Sequence, residues 1–357
     1  MVSAATYQPA KRQRAVPQQR IVDPAGWTAT DFSEAGPWVL RIREDAIADV
    51  LAAVVRAEKA GVDIIRMKRE DFPVGTAAVS LFKTMRETLL EGVGFVQVRG
   101  LPVARMTRRQ AALAFLGIGT HLGMRVPQNE DGHVLGHVKD IGAEVGKLMT
   151  RNYQTSQAIG FHSDSCDLVA LMCLKTAELG GESRIVSSIN IYNAMLERRP
   201  DLLAELSTEF YWSRHGKYED GTIPWYKVPP FAFVDGYFSC RGLSVRLDKA
   251  QKLPGVPPLT PKQQEAIKMF RTLTAELAVD IPFVEGDFQI LCNHVILHSR
   301  RPYKDFADPA EKRHLLRLWL NDELVRPVPT YVREDFRGVE LASGGLLSAP
   351  LEVESLV

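Results

Sequence analysis

The residues best equipped for chemistry in this 357-residue chain are a few of its eight histidines. His162-Ser163-Asp164 stands at the start of a strand-like segment, just after Gly160. Residues two apart in an extended chain point to one face, so this imidazole and carboxylate can bind one metal ion together. A second imidazole from a distant strand would complete two histidines and a carboxylate, a set that leaves positions open for substrate and dioxygen. The candidates are His294 and His298, at the end of Phe288-Gln-Ile-Leu-Cys-Asn-His-Val-Ile-Leu-His298. A spacing of four keeps both on the same strand face, so periodicity does not choose between them.

Several elements must position these groups. Ile47, Val50, Leu51 and Val54 recur at helical spacing over 44–60, and Gly61 stands where that helix would stop. A second helix is predicted over 76–91, with Val79, Phe82, Met85 and Leu89 on one face. A short strand follows between Gly94 and Gly100, and Thr107 with Gln110 forms a capping box that opens a helix over 108–122. From about His133 the pattern changes to short apolar runs at 168–174, 183–188, 230–234, 237–241, 288–291 and 314–320. Gly180-Gly181 and Asp235-Gly236 read as hairpin-type turns. One helix is expected near Ile191. Another is capped by Thr260, with Pro261 first, Gln263 third and a stripe of Ile267, Phe270 and Leu273. Many short strands, little βαβ alternation and no repeat period predict an α+β fold, a β-sandwich or jelly-roll core clad by helices mostly from the N-terminal third.

Composition narrows the function classes. Hydrophobic residues at 45% and charged residues at 24% are those of a globular domain. Lys+Arg 44 against Asp+Glu 43 gives no global field for nucleic acid or anionic membranes, so neither is expected as a partner. No apolar run is long enough for a membrane helix, and nothing near Met1 reads as a secretory signal. Cys166, Cys173, Cys240 and Cys292 are scattered, which points to a reducing, cytoplasmic setting. Lys11, Arg12, Arg14 and Arg20 precede the first acidic residue, Asp23. Residues 1–35 are therefore expected to be a flexible, solvated tail, and 36–357 a single domain.

Four stretches in order carry a further signal: Gly160-Phe-His162-Ser-Asp164, Leu174-Lys-Thr-Ala-Glu-Leu-Gly180-Gly-Glu-Ser183, Leu297-His298-Ser-Arg-Arg301 and Lys312-Arg313-His-Leu-Leu-Arg317-Leu-Trp319. Together they resemble the TauD/TfdA (taurine dioxygenase-like) family of Fe(II)- and 2-oxoglutarate-dependent oxygenases, of which gamma-butyrobetaine hydroxylase is a relative. The likeness spans roughly Gly94 to Asn321. It implies a double-stranded β-helix (jelly-roll) core, with His162, Asp164 and His298 as iron ligands and His294 in a structural role. Ser183 and Arg313 then fall where the family binds the distal carboxylate of 2-oxoglutarate. A planar guanidinium suits that task, because it meets a carboxylate through two parallel bonds.

Arg317 is four residues beyond Arg313, so in a strand both look into one cavity. Several members hold the substrate's sulfonate or carboxylate with the arginine at this position, which implies a small anionic substrate. Tyr153, Gln154 and Asp167 flank the metal motif as further candidate substrate contacts. Gln154 stands where the butyrobetaine enzyme has an aromatic residue, and that enzyme's cysteine-rich N-terminal part is missing; both argue against a quaternary-ammonium substrate. Asp164 occupies the place of the small residue found in related halogenases, which favours hydroxylation. The implied reaction consumes 2-oxoglutarate and O2, oxidises a C–H bond and releases succinate and carbon dioxide. A zinc hydrolase and a non-catalytic jelly-roll binding protein are the rival classes, and neither needs Arg313 beside Ser183. Substrate identity is not legible, and homo-oligomerisation is left open.

Overall fold

The computed structural model describes residues 10–31, 36, 38–143, 152–214, 221–322 and 325–339, with single positions at 341, 346 and 351. Strand β1 (Val39–Arg41) leads into α1 (Glu44–Lys59), whose first turn carries Glu44 and Asp45 and whose last turn carries Arg56 and Lys59. That arrangement complements the helix dipole. Helix α2 (Thr76–Leu90) buries Ala78, Phe82, Met85 and Leu89, while Val79, expected on the same face, is 45% exposed. Strand β2 (Phe95–Arg99) follows, then α3 (Arg108–Thr120), opened by the Thr107–Gln110 capping box. Residues 111–119 of α3 are buried all round, as a helix passing through a core must be.

The sheets are built next, from β3 (Met124–Arg125), β4 (Leu135–Val138), β5 (Ile159–His162), β6 (Leu168–Lys175), β7 (Leu179–Gly180) and β8 (Ser183–Ser187). Helices α4 (Ser188–Arg198) and α5 (Pro200–Glu205) precede two hairpins, β9 (Phe210–Ser213) with β10 (Trp225–Val228) and β11 (Phe231–Val234) with β12 (Tyr237–Cys240). Helices α6 (Val245–Ala250) and α7 (Pro261–Glu276) lead back to β13 (Val279–Ile281), β14 (Phe288–Cys292), β15 (Ile296–Arg300), β16 (Tyr303–Lys304) and β17 (His314–Asn321), and α8 (Thr330–Asp335) follows. Seven strands form the larger sheet, ordered β1-β2-β14-β6-β17-β3 with β4 also on β17; four form the smaller, β13-β8-β15-β5. Apart from the parallel β1–β2 pair, both sheets are antiparallel. The fold is the α+β jelly roll expected. One apolar cluster joins α1–α3, both sheets and α7, and among the described residues no helix is long and apolar enough to cross a membrane.

Three expectations are corrected. Asp235 and Gly236, at φ 52° and 81°, do make the β11–β12 turn, but Gly180-Gly181 joins no hairpin. There β7 pairs with β16 and β8 with β13 and β15, so the two glycines, at φ 79° and 77°, form a corner between sheets. His294 lies in the turn between β14 and β15, so the strand-parity argument does not reach it. The basic N-terminal stretch is also not solvated over 10–31. Ile21, Ala25 and Trp27 are buried, and Ile21 exchanges hydrogen bonds with the Asn193 amide. Arg12 donates to Asp23 at 2.8 Å and to Glu91 at 2.5 Å, and Arg326 donates to the same Asp23 oxygen at 2.9 Å. Burial opposes the charge on Asp23, yet Arg326 and Arg12 outweigh it and hold its carboxyl below the ordinary range. Composition shows the excess of positive charge but not these distant acidic partners. Residues 1–9 and 32–35 of the expected tail lie outside the described residues.

Candidate active site

His162 ends β5 and stands directly across the ladder from His298 on β15, so two imidazoles from distant parts of the chain face each other with ring centroids 4.2 Å apart. Asp164 follows where the chain leaves β5. Its Oδ1 lies 3.6 Å from His162 Nε2 and its Oδ2 3.6 Å from His298 Nε2. One donor atom from each residue lies within 4.8 Å of the others. The His162 ring sets its Nδ1 2.9 Å from the Gly160 carbonyl; with the proton on that nitrogen, the Nε2 lone pair faces the centre. Trp319 Nε1 donates to Asp164 Oδ2 at 2.9 Å, and the Asp164 backbone N–H donates to Asn293. Burial would discharge Asp164, but His162, His298 and the charge of Arg317 hold its carboxyl well below the usual carboxylate range. Burial, then the neighbouring His162, lowers the pKa of His298. An ionised carboxylate and two imidazoles fit a ferrous ion with coordination positions left open.

The triad opens into a cavity lined from both sheets, by His162, Ser183, His298 and Arg300 on one side and Val169, Leu171 and Arg317 on the other, with Arg313 just before β17. Arg313 is 4% exposed. Its backbone N–H donates to Asp305 at 2.7 Å, its Nη2 to the Gly181 carbonyl at 3.2 Å, and its Cζ is 5.1 Å from the Tyr303 ring centre. A Cβ on Gly181 would stand 2.9 Å from Arg313 Nε, so this corner needs glycine for approach as well as for φ. Ser183 Oγ donates to Gln289 at 2.9 Å. Arg317 lies between the rings of Tyr153 and Trp319, 4.7 and 5.0 Å from their centres, and donates through Nε to Gln128 at 2.7 Å. Gln128 also donates to the carbonyls of Val134 and Arg317, so its amide is locked.

The cavity thus gathers His162, Asp164, His298, Ser183, Arg313, Arg317 and Tyr153. It does not gather Asp167, whose carboxylate accepts from His294 at 2.7 Å and from the Asp322 N–H at 3.0 Å, buried behind the metal motif. The chain turns between Asp164 and Asp167, which rotates that side chain away. Gln154 does not line the cavity either; its carbonyl accepts from the Ile141 N–H. Sequence reasoning missed Trp319, Gln128 and Arg300. Trp319 and Arg300 were findable, each two residues from a group already singled out on its strand.

The family model described as taurine catabolism dioxygenase TauD, TfdA family, matches residues 66–319. The chain belongs to the TauD/TfdA family. As such it is a 2-oxoglutarate-dependent non-haem iron dioxygenase, using Fe(II), 2-oxoglutarate and O2. Among curated TauD/TfdA-like relatives, FR-33289 synthase of Streptomyces rubellomurinus is 29% identical over 326 residues, covering 89% of this chain and 95% of that protein. The taurine hydroxylase-like protein SAT17 of Stachybotrys chartarum is 29% identical over 335 residues, covering 88% and 84%. Asparagine oxygenase, solved with Fe(II), hydroxyasparagine and succinate, shares the fold at TM-score 0.62 and 14% identity, over 79% of this chain and 93% of that one. The non-heme iron oxygenase OrfP, solved with Fe and alpha-ketoglutaric acid, does so at 0.59 and 14%, over 80% and 95%.

Proposed function

We propose that this dioxygenase hydroxylates a C–H bond of a small organic anion, with His162, Asp164 and His298 holding the iron. The observation that carries the reading is one cavity that holds the triad together with Arg313 and Arg317. When bound, the iron supplies the dioxygen activation that couples decarboxylation of 2-oxoglutarate to oxidation of the substrate. One oxygen atom enters the product hydroxyl and the other enters succinate, with carbon dioxide released.

The protein's own groups bind and orient. Arg313 Nη1 is buried with no hydrogen-bond partner among the described residues, a donor suited to the distal carboxylate of 2-oxoglutarate beside Ser183. Arg317 has its Nε engaged by Gln128, which leaves both Nη groups for a two-pronged contact with a substrate carboxylate or sulfonate. Tyr153 and Trp319 hold that guanidinium between two ring faces. Val138, Ile159, Leu171 and Phe283 close the walls with apolar surface that limits bulk water around the reacting atoms. The products named with the similar folds, hydroxyasparagine and hydroxyarginine, also carry carboxylates.

The test is succinate release by protein loaded anaerobically with Fe(II), then given 2-oxoglutarate, air and a panel of amino acids, sulfonates and aryloxy acids. An anionic compound should accelerate release, and His162→Ala should abolish it while the far-ultraviolet circular dichroism is retained. Full activity in His162→Ala would overturn the triad. Zinc-dependent ester or amide cleavage that ignores 2-oxoglutarate would replace the reading with hydrolysis.

A further inference from the structure

Arg300 follows His298 by two residues on β15, so both side chains leave the strand on one face. It is the ladder partner of Ser183, lines the same cavity and is 6% exposed. Its Nη2 donates to the carbonyls of Thr155, at 2.7 Å, and Gln157. Its Cζ lies 4.8 Å from the centre of the Tyr303 ring, against which Arg313 also lies at 5.1 Å. Two buried guanidinium groups that line the cavity therefore share one aromatic ring. Asp305 Oδ1 accepts from the Arg313 backbone N–H at 2.7 Å. An anion placed between two such cations removes their repulsion and meets charge-assisted donors from both.

We propose that Arg300 is a second arginine for the distal carboxylate of 2-oxoglutarate, which would bridge Arg300 and Arg313 over Ser183. This rests on the reading of the cavity as the cosubstrate site. Arg300 is then a selectivity residue: it favours a 2-oxo acid with a carboxylate at its far end over one that lacks it.

Calorimetric binding to Mn(II)-loaded protein, without turnover, tests this with N-oxalylglycine, which carries the far carboxylate, and pyruvate, which does not. Arg300→Gln keeps donors for the Thr155 and Gln157 carbonyls but removes the charge. It should weaken N-oxalylglycine by about tenfold or more and leave pyruvate within twofold. Arg300→Lys should lose less for N-oxalylglycine and nothing for pyruvate, and it serves if the glutamine variant fails to fold. Equal losses for both ligands, or none for either, would reduce Arg300 to a brace for residues 155–157. Arg313→Gln is the control. If it weakens N-oxalylglycine while neither Arg300 variant does, the Arg300 proposal falls and the cosubstrate reading stands. If Arg313→Gln also leaves it unchanged, both fall.

Discussion

Trp319→Phe removes the indole N–H from the metal site together with part of a buried ring. The ring still packs on the strand face it shares with Arg317, but the Nε1–H that donates to Asp164 Oδ2 at 2.9 Å is gone. A hydrogen bond to a charged acceptor contributes about 1.5–3 kcal/mol. The two imidazoles stand 3.6 Å from the carboxylate oxygens, too far to fix its rotation by hydrogen bonding, so Trp319 supplies much of the orientation. Two effects then oppose each other. Without the donor the carboxylate becomes more basic and a better metal ligand, yet it also turns more freely and competes less well against protons. Orientation wins, because deleting outer partners of metal ligands costs about 10–100-fold in affinity. The hydrogen-bond figure converts to about the same range at roughly 1.4 kcal/mol per decade. Titration calorimetry of Mn(II) into the apo protein should show a dissociation constant raised by that factor, with a cooperative thermal transition retained. A dissociation constant within twofold of the parent protein would refute the claim that Trp319 orients Asp164.

Other variants probe separate parts of the cavity. Arg313→Ala should raise the 2-oxoglutarate KM about tenfold or more, the loss of a charge-assisted contact of about 1.5–3 kcal/mol; an unchanged KM would reassign Arg313 to packing. Arg317→Met should raise the KM of an anionic substrate strongly while barely moving that of 2-oxoglutarate, and Arg317→Lys should recover only part, lacking the planar fork and the Nε bound to Gln128. Equal losses for substrate and cosubstrate would remove Arg317 from substrate recognition. Asp23 titrates lower in the folded protein than its ordinary value, so its contribution is complete above about pH 4 and fades as pH falls through the folded value. Asp23→Asn should therefore reduce stability at neutral pH and narrow the gap between neutral and acid unfolding midpoints in urea; an unaltered gap would contradict the pairing.

Local pattern sufficed where the determining partner is close in sequence. The capping boxes at Thr107 and Thr260 and the Asp235-Gly236 turn are satisfied within a few residues and appear where expected. The two-residue rhythm placed His162 near Asp164 and Arg313 near Arg317 for the same reason. It could not separate His294 from His298, since that depends on where β14 ends and β15 begins, and the turn falls between Asn293 and Val295. Asp167 was misplaced because a bend interrupts the alternation after Asp164. The N-terminal stretch looked solvated because its partners, Glu91, Asn193 and Arg326, are far away along the chain. Gln128 lies in a loop with no rhythm at all, and only its hydrogen bonds to Arg317 reveal it.

With His162 and His298 holding the iron, as we propose, their ladder pairing would make the ion a clasp as well as a reagent. Between these two positions the chain runs through both hairpins and α4–α7, and a bound metal ties the ends of that excursion together. A slip of β15 by one residue would present Leu297 or Ser299 to the centre and forfeit the clasp, so loading favours the correct alignment over its neighbours. Because the ion binds the folded chain in preference to the unfolded one, folding stability rises with its free concentration. Iron supply would then govern the enzyme twice, once in each turnover and once in how long each copy withstands proteolysis.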